Sequence, residues 1–391
     1  MSRESIKEAI EELKIFESLN RKGSPGAPYA ETAASNKVLL DTHRAEIEEA
    51  VVDRIILLCT SPWLPECPYE LIEGGFCDPV RVFVKDEPHS QKKISEGRYR
   101  LIFSVGLVDQ CVERFFAQKQ NKVEKSIWFR LPSLIGIGFD KMHVADLLNR
   151  GCWFTSHTVV ESDVSGWDWS VQEGELRHAC DLRISLIRDC PDNLARVMKG
   201  RYHCILHKLL STSDGRTMVG PVGIMPSGSY LTSSDNSHMR ATLGLQARHN
   251  LGVDIKSSKI KCVGDDCVEE DDVPLEELRT EYERLGHRIK DIRISKSDDF
   301  ELCSHRFLQG TPIPLTLPKS VYKWAQGCRG LDETVALQGL CENVDARQRL
   351  AVADIISQYG GTVNNAQIKG QTAHPGQFHE GPEGASSSRR Q

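Results

Sequence analysis

The segment 259–269 (KIKCVGDDCVE) constrains this chain more than any other stretch. Two short apolar runs flank Gly264, Asp265 and Asp266, a pattern that predicts a β-hairpin whose tight turn uses the conformational freedom of glycine. Two adjacent carboxylates repel each other unless cations neutralise them, and hard cations such as Mg²⁺ prefer carboxylate oxygens and bring substrate phosphates with them. Because Gly and Asp are ordinary turn residues, such a triplet taken alone is more often a solvated turn. Whether this triplet marks a cation site or a solvated turn depends on the rest of the chain.

Composition excludes several classes of protein. A chain of 391 residues can bury a large core and suggests two or three lobes. Its 13 cysteines include no Cys-x-x-Cys pair, which argues against a disulfide framework or a zinc ribbon and fits a reducing cytosol. No apolar run is long enough to span a bilayer, and the acidic amphipathic N-terminus does not resemble a targeting signal. With a net charge of −6, any binding of nucleic acid must rest on local patches.

A basic arm lies between two predicted strands at 80–85 and 98–103. Its positive charges are Lys85, Lys92, Lys93, Arg98 and Arg100. Arg presents a planar fork and Lys a point charge, so such an arm suits a channel for a triphosphate. A solvated charged hairpin with Asp86, Glu87 and Glu96 as partners is the alternative, and in isolation it is the commoner arrangement.

Two further segments carry polar residues at positions suited to binding a metal ion or contacting nucleic acid. The segment 158–163 predicts a buried strand that ends in Asp163, and a turn containing Asp168 leads from it into a helix over 171–188. Asp163 can reach a metal at the end of the strand, with Asp168 to one side. For Asp168, a role as helix cap or turn residue is the alternative.

The segment 226–245 predicts a loop that continues as a helix. Ser227 and Gly228 in the loop can approach a nucleic-acid backbone closely. Thr232 and Asn236 share one helix face because they are four residues apart. The alternative is a polar helix face, or hydroxyls that bond back to their own helix.

The remaining pattern predicts a mixture of helices and strands. The predicted elements are helices at 3–19, 44–60, 104–150 (with breaks), 274–286 and 331–359, a two-stranded excursion at 200–220, a strand leading from 287 to 296, and a hairpin arm at 300–307. The polar, Gly-rich stretch from 360 to 391 is predicted to be disordered.

Taken together, these segments resemble the motifs of the RNA-dependent RNA polymerases of positive-strand RNA viruses, most nearly the sobemovirus and polerovirus type, over residues 22–330. Motifs A, B and C are matched by Asp163-x4-Asp168, by Ser227-Gly228-x3-Thr232-x3-Asn236 and by Gly264-Asp265-Asp266. Lys290 resembles the motif D lysine, with Lys296 nearby as a competing assignment. The remaining matches are 300–307 to motif E, 85–102 to motif F and 24–29 to motif G.

The resemblance implies an α+β fold of the right-hand polymerase type, with an antiparallel palm sheet and a small helical thumb. The implied divisions are fingers at 1–157, palm at 158–168, a fingers/palm insertion at 169–225, palm again at 226–310, thumb at 311–359 and a disordered tail at 360–391.

The resemblance also implies nucleotidyl transfer with two Mg²⁺ or Mn²⁺ ions. Asp163 and Asp265 would bind the ions with support from Asp266, and Lys290 would protonate the leaving pyrophosphate. The implied nucleotide-binding residues are Lys85, Lys92, Lys93, Arg98 and Arg100 for the triphosphate, and Asp168, Ser227, Thr232 and Asn236 for the ribose 2′-hydroxyl. The implied RNA contacts are Gly26, Pro28, Gly228, Gly264, His305 and Arg306.

The implied partners are a single-stranded RNA template, the nascent RNA, nucleoside triphosphates and other viral replication proteins, at replication sites in the host cytoplasm and without a membrane span of this chain. Initiation de novo and from a protein primer both stay open. A reverse transcriptase would carry a bulky residue at Asp168 and an aromatic one at Gly264. A non-catalytic or partner-dependent RNA-binding subunit would not need the four aspartates, and a metal-dependent phosphohydrolase would not need the 227–236 segment or the basic arm.

Overall fold

The structure, a computed structural model, describes residues 1–85, 87, 91–138, 154–309, 311–315, 350, 351 and 354. Contacts within the chain define two compact units, Met1–Gly138 with Met142–Cys303, and Phe139–Lys141 with Ser304–Gln391. The predicted tail, and nearly all of the predicted thumb helices, lie outside the described residues. No helix in the described ranges is both long and apolar enough to cross a membrane.

The described helices of the first unit are interspersed among its strands. They are α1 Arg3–Glu12, α2 Asn36–Thr60, α3 Pro68–Glu73, α4 Gln91–Ser95, α5 Leu107–Ser126, α6 Trp167–Ser170, α7 Glu173–Ser185, α8 Asp192–Leu206, α9 Thr232–Asn250 and α10 Leu275–Arg284. The prediction of a strand from residue 200 was wrong, because α8 continues to Leu206. Val197, Met198, Tyr202 and Ile205 recur at helical spacing and are buried, so helical packing determines this stretch.

The strands of the first unit form two sheets. They are β1 Val80–Val84, β2 Leu101–Ser104, β3 Thr158–Val164, β4 Leu209–Thr212, β5 Thr217–Val219, β6 Ile260–Val263, β7 Asp266–Glu270, β8 Ile289–Lys296 and β9 Asp299–Leu302. The smaller sheet has the order β2-β1-β4-β5, and β4 with β5 is the predicted excursion in shortened form. The larger sheet has the order β9-β8-β3-β7-β6, and β3 pairs antiparallel with both of its neighbours. This mixed α+β content with an antiparallel sheet agrees with the predicted fold class.

The second unit contributes one described hairpin, in which β10 His305–Leu308 pairs antiparallel with β11 Thr311–Pro314.

One apolar core joins the N-terminal helices of the first unit to its larger sheet. Ile6 of α1, Val51 of α2, Val112 of α5, Val160 of β3 and Ile292 of β8 all belong to it. Each such side chain contributes roughly 1.5–3 kcal/mol when fully buried, so the core fixes β3 firmly against the helices.

A buried ionic network lies between the larger sheet and helices α9 and α10. The Glu269 carboxylate accepts hydrogen bonds from Arg248 Nη1 (2.7 Å), Tyr282 Oη (2.6 Å) and Ser162 Oγ (3.0 Å), and Arg240 Nη2 lies 3.4 Å from it. The glutamate and both arginines are fully buried. Although burial opposes ionisation, the two guanidinium groups keep the pKa of Glu269 below its usual range. The network therefore fastens β7 to β3, α9 and α10.

Candidate active site

The turn between β6 and β7 is held by helix α9. Gly264 has a φ of +67°, a left-handed conformation that glycine adopts without strain. Its amide donates to Ser237 Oγ at 2.8 Å, and the Ser237 hydroxyl donates to the Ser233 carbonyl at 2.8 Å. The hairpin tip is therefore anchored directly to α9.

Three carboxylates converge where β3 meets this hairpin. The register pairs Ser162 of β3 with Cys267 of β7, so Asp163 comes next to the end of the hairpin that carries Asp265 and Asp266. Burial raises the pKa of Asp265, and the charge of Asp163 raises it further. Burial and the charge of Asp265 raise the pKa of Asp266 to about 6. These shifts reflect negative charge that accumulates in a partly desolvated site.

Lys290 of β8 supplies positive charge to this cluster. Its ammonium group donates to Asp163 Oδ2, and this bond raises the pKa of Lys290. Within the described ranges, no three His, Cys, Asp or Glu side chains are arranged so that they already form a metal site. Asp163 is instead engaged by the lysine.

Asp168 and Asn236 meet on one side of the carboxylates. Asn236 Nδ2 donates to Asp168 Oδ1 at 3.1 Å. Burial raises the pKa of Asp168 to about 6, against the lowering effect of this bond, and the charge of Asp265 adds to the rise. Asn236 Oδ1 is buried and has no hydrogen-bond donor in the structure as described. A buried acceptor without a donor is unusual and fits a ligand hydroxyl.

The hydroxyls of Ser227 and Thr232 are engaged by backbone groups. Ser227 Oγ accepts the Phe103 amide at 3.1 Å, and the Gly228 amide donates to the Phe103 carbonyl at 2.8 Å. Thr232 Oγ1 donates to the carbonyls of Pro226 (2.7 Å) and Ser229 (3.0 Å), both in the loop that precedes α9.

Glu87 partly neutralises two residues of the basic arm. Glu87 accepts from Lys85 Nζ at 2.9 Å and from Arg100 Nη1 at 3.0 Å. The charge of Arg100 also acts on Asp168 and Asp265, where it partly offsets the raised pKa of each carboxyl. The arm and the carboxylates therefore belong to one electrostatic environment.

The other basic residues of the arm lie around α4. Lys92 and Lys93 belong to this helix, and Arg98 pairs with Glu96.

The remaining predicted RNA contacts belong partly to the first unit and partly to the second. Gly26 has a φ of +68°, and a Cβ there would lie 2.6 Å from the Val105 carbonyl oxygen, so this loop packs tightly at the start of α5. Pro28 leads into a single 3₁₀ turn at Tyr29–Glu31. His305 and Arg306 belong to β10 of the second unit.

Sequence reasoning missed Glu113 of α5, which holds the start of the 229–236 segment. Its fully buried carboxylate accepts from Ser229 Oγ (2.9 Å), from the Tyr230 amide (2.7 Å) and from Arg201 Nη2 (2.8 Å). The sequence signal was a charged residue on the apolar face of a predicted helix, which calls for a buried partner.

His287, just before β8, was also missed. Its ring is fully buried and stacks on Trp167 with centroids 4.9 Å apart. Nδ1 lies 3.0 Å from Ser170 Oγ, and Nε2 lies 2.8 Å from Glu175 Oε1. This histidine connects the segment that leads to Lys290 with α6.

Comparison with known proteins identifies the class of protein that carries this site. Residues 1–312 match the profile of the viral RNA-dependent RNA polymerase family, and the chain belongs to that family. This confirms both the resemblance derived from the motifs and the enzyme class, RNA-directed RNA polymerase.

Individual relatives come from plant and mushroom viruses. The chain is 37% identical over 317 residues to the replicase polyprotein P2AB of Southern cowpea mosaic virus, covering 78% of this chain and 32% of the polyprotein. It is 34% identical over 309 residues to the RNA-directed RNA polymerase of Mushroom bacilliform virus, covering 77% of this chain and 73% of that protein. It is 32% identical over 348 residues to protein P1-P2 of Potato leafroll virus, covering 83% of this chain and 30% of that protein. The chain thus spans about a third of the length of its polyprotein relatives.

Proposed function

We propose that this chain synthesises RNA on an RNA template by two-metal nucleotidyl transfer and so replicates the genome of a positive-strand RNA virus. One observation carries the proposal. The pairing of β3 with β7 brings Asp163 beside Asp265 and Asp266, and the charge of Asp163 raises the pKa of Asp265. Membership of the polymerase family supports the same conclusion.

The cation requirement follows from the donor set. Asp163, Asp265 and Asp266 offer carboxylate oxygens, the ligands that Mg²⁺ and Mn²⁺ prefer. The pKa values of Asp265 and Asp266 are raised by burial and by neighbouring negative charge, and a bound divalent cation would offset that charge. These three residues would hold two ions. When bound, the ions would favour ionisation of the primer 3′-hydroxyl and neutralise charge on the triphosphate.

Lys290 would serve as the proton donor. Its bond to Asp163 keeps its pKa above the usual lysine value, so the group stays protonated at neutral pH. On leaving Asp163 it would donate that proton to the pyrophosphate.

Selection of ribonucleotides would rest on Asp168 and Asn236. The bond from Asn236 Nδ2 to Asp168 fixes the amide, so its oxygen remains as an acceptor for the 2′-hydroxyl. A 2′-deoxynucleotide would leave this acceptor without a donor. Lys85 and Arg100 would bind the triphosphate. Lys92, Lys93 and Arg98 would line its entry.

The larger subdivisions belong to the same proposal. The antiparallel β9-β8-β3-β7-β6 sheet would form the palm, residues 1–157 the fingers and residues 311–359 the thumb. Template and nascent RNA would contact Gly26, Pro28, Gly228, Gly264, His305 and Arg306. Replication would take place in the host cytoplasm with other viral proteins.

The test is incorporation of labelled ribonucleotides on a single-stranded RNA template with Mg²⁺ or Mn²⁺. We expect Asp265→Ala to abolish product while folding and RNA binding persist. Glu277→Ala, which removes an exposed carboxylate on α10, is the matched control and should leave synthesis intact.

Two outcomes would contradict the proposal. Product unchanged in Asp265→Ala would mean that the active site lies elsewhere. No product from the native chain with either ion, with or without a primer, would favour the alternative of a non-catalytic or partner-dependent RNA-binding replication subunit.

A further inference from the structure

We infer that Glu113 is a positioning residue for the loop 226–231, which it holds from helix α5 through Ser229 and Tyr230. By fixing this loop, Glu113 would place the Ser227 hydroxyl where it can contact the ribose of the incoming nucleotide. The inference rests on the proposed function for its kinetic consequences, and its structural part can be tested independently of activity.

The loop leads into α9, where Leu231 stands at the cap position and offers no side-chain acceptor to the amides there. Glu113 Oε2 instead accepts the Tyr230 amide at 2.7 Å and the Ser229 hydroxyl at 2.9 Å. Ser229 Oγ in turn accepts the Leu231 amide at 3.1 Å. One oxygen of Glu113 therefore fixes the chain over three consecutive residues.

Arg201 of α8 holds the other oxygen of this carboxylate. Glu113 Oε1 accepts from Arg201 Nη2 at 2.8 Å and from Nε at 3.0 Å, and Arg201 Nη1 lies 3.3 Å from Asp109 Oδ2. All three side chains are buried, so water does not compete for these bonds. Because four donors surround the two oxygens, the direction of the carboxylate towards the loop is fixed.

Arg114, the next residue of α5, holds the same part of the loop by a second contact. Its guanidinium lies over the Tyr230 ring, 4.2 Å from the centroid, and its Nη1 donates to the Gln110 carbonyl at 3.3 Å. Glu113 thus binds the backbone of Tyr230, and Arg114 contacts its ring.

The body of α9 has separate buried anchors. Asp235 accepts from Arg183 Nε at 2.7 Å and from Tyr202 Oη at 2.6 Å. Loss of the Glu113 contacts should therefore loosen the loop while α9, with Asn236, stays in place.

The consequence for the reaction concerns the Ser227 hydroxyl, two residues before Ser229. Its oxygen accepts the Phe103 amide at 3.1 Å, so its own O–H remains to donate to a ligand. Under the proposed function that ligand is the ribose 2′-hydroxyl. A loop freed at Ser229 and Tyr230 would hold this donor less precisely. Selection of ribonucleotides would then weaken although no group that touches the sugar has been removed.

The experiment measures hydrogen–deuterium exchange, and steady-state kinetics with ATP and 2′-deoxy-ATP. In Glu113→Gln an NH₂ group replaces one oxygen and must face two of the four donors. Arg201 keeps Asp109 as its counter-charge, so the fold should persist. Amides of residues 227–231 should exchange several-fold faster while those of α10 are unchanged. The preference for ATP over 2′-deoxy-ATP should fall about five-fold, in line with loss of one hydrogen bond.

Ser229→Ala is the milder variant, because it keeps the buried ion pair and removes one of the two donors of the loop. It should change exchange and sugar preference in the same direction by a smaller amount, and it decides the question even if Glu113→Gln does not fold. Asn236→Ala acts on the sugar directly and should lower the preference without faster exchange of 227–231. Ile10→Ala removes a buried side chain from the core at α1 and should leave both measurements unchanged.

Three outcomes would overturn the inference. They are unchanged exchange of 227–231 in Ser229→Ala, faster exchange in Glu113→Gln with an unchanged sugar preference, and an equal loss of preference in Ile10→Ala. If the native chain synthesises no RNA, the proposed function fails, while the exchange experiment still decides whether Glu113 holds the loop.

Discussion

The fully buried Glu269 permits a strong test of how the β6–β7 hairpin is held. We consider Glu269→Gln, which preserves the size of the side chain but removes its charge. Arg248 would keep a second carboxylate, since its Nε lies 2.8 Å from Asp272 Oδ1. Arg240 has Glu269 as its one carboxylate partner among the described residues, and its Nε already lacks an acceptor there. The variant would therefore leave a fully buried guanidinium without its ion-pair partner, with the charge of Asp265 as a more distant influence.

The expected loss of stability follows from that uncompensated charge. Removing one partner of a buried ion pair typically costs about 3–5 kcal/mol. The Tyr282 and Ser162 hydroxyls donate to different oxygens of Glu269, so only one of them can still donate to the glutamine oxygen, and we expect at least about 3 kcal/mol for this variant. Native proteins are stable by roughly 5–15 kcal/mol in total, so the loss would be a substantial fraction.

The measurement is the free energy of unfolding from urea titrations followed by circular dichroism and tryptophan fluorescence. Glu276→Gln is the matched control, because it makes the same chemical change at an exposed carboxylate 3.9 Å from Arg279. An exposed pair of this kind contributes little, so the control should unfold like the native protein.

A second substitution separates lost charge from lost packing. Adding Arg240→Met to Glu269→Gln removes the unpaired cation and should recover at least about 1 kcal/mol. A loss below about 1 kcal/mol in Glu269→Gln, or no recovery in the double variant, would refute the reasoning that the network is desolvated and charge-balanced.

Three further predictions concern single positions. Gly264 has a positive φ and open space around it, so Gly264→Ala should lower the free energy of unfolding by about 1–2 kcal/mol and Gly264→Asn by less, as urea titration would measure. Gly228→Ala forces a Cβ against the Phe103 carbonyl oxygen and should lower RNA synthesis at least ten-fold in the incorporation assay; near-native synthesis would contradict the close approach. Hydrogen bonds from His238, Ser133 and Ser234 overcome the effect of burial and lower the pKa of Glu124 to about 2 from 4.5. The charged form thus stabilises the fold by about 3 kcal/mol above pH 4.5, and this contribution should disappear as the pH falls towards 2; the gap in unfolding free energy between the native chain and Glu124→Gln should narrow over that window.

The elements of the site that the sequence predicts well are those determined by local pattern. The alternating run around Gly264, the apolar strand that ends at Asp163 and the helix that contains Asn236 all form as expected, because side-chain periodicity and turn chemistry act over a few residues. The hairpin also lies beside the strand of Asp163, which brings close together the two aspartates that the resemblance assigned to the ions.

The partners of these residues could not be predicted in the same way. The acceptor role of Ser227 depends on a strand more than a hundred positions earlier in the chain, and nothing in the local pattern specifies that contact. The same holds for Glu113, whose burial is explained by Arg201 and by the amide of Tyr230. A buried charged group generally requires partners that lie far away in the sequence, so its burial can be explained only once the fold is known.

The overall charge of −6 illustrates the same limit, because it does not indicate how charge is arranged at the site. Below the hairpin, the charge of Glu269 is balanced by ion pairs with Arg240 and Arg248. At the tip, the raised pKa values of Asp265 and Asp266 indicate carboxylates that the nearby positive side chains do not fully compensate. A balanced network can therefore hold unbalanced carboxylates close together, at a cost to folding that cation binding would offset. Under the proposed function, the local arrangement of charge, and not the total, would give an acidic protein a site for cations and phosphates.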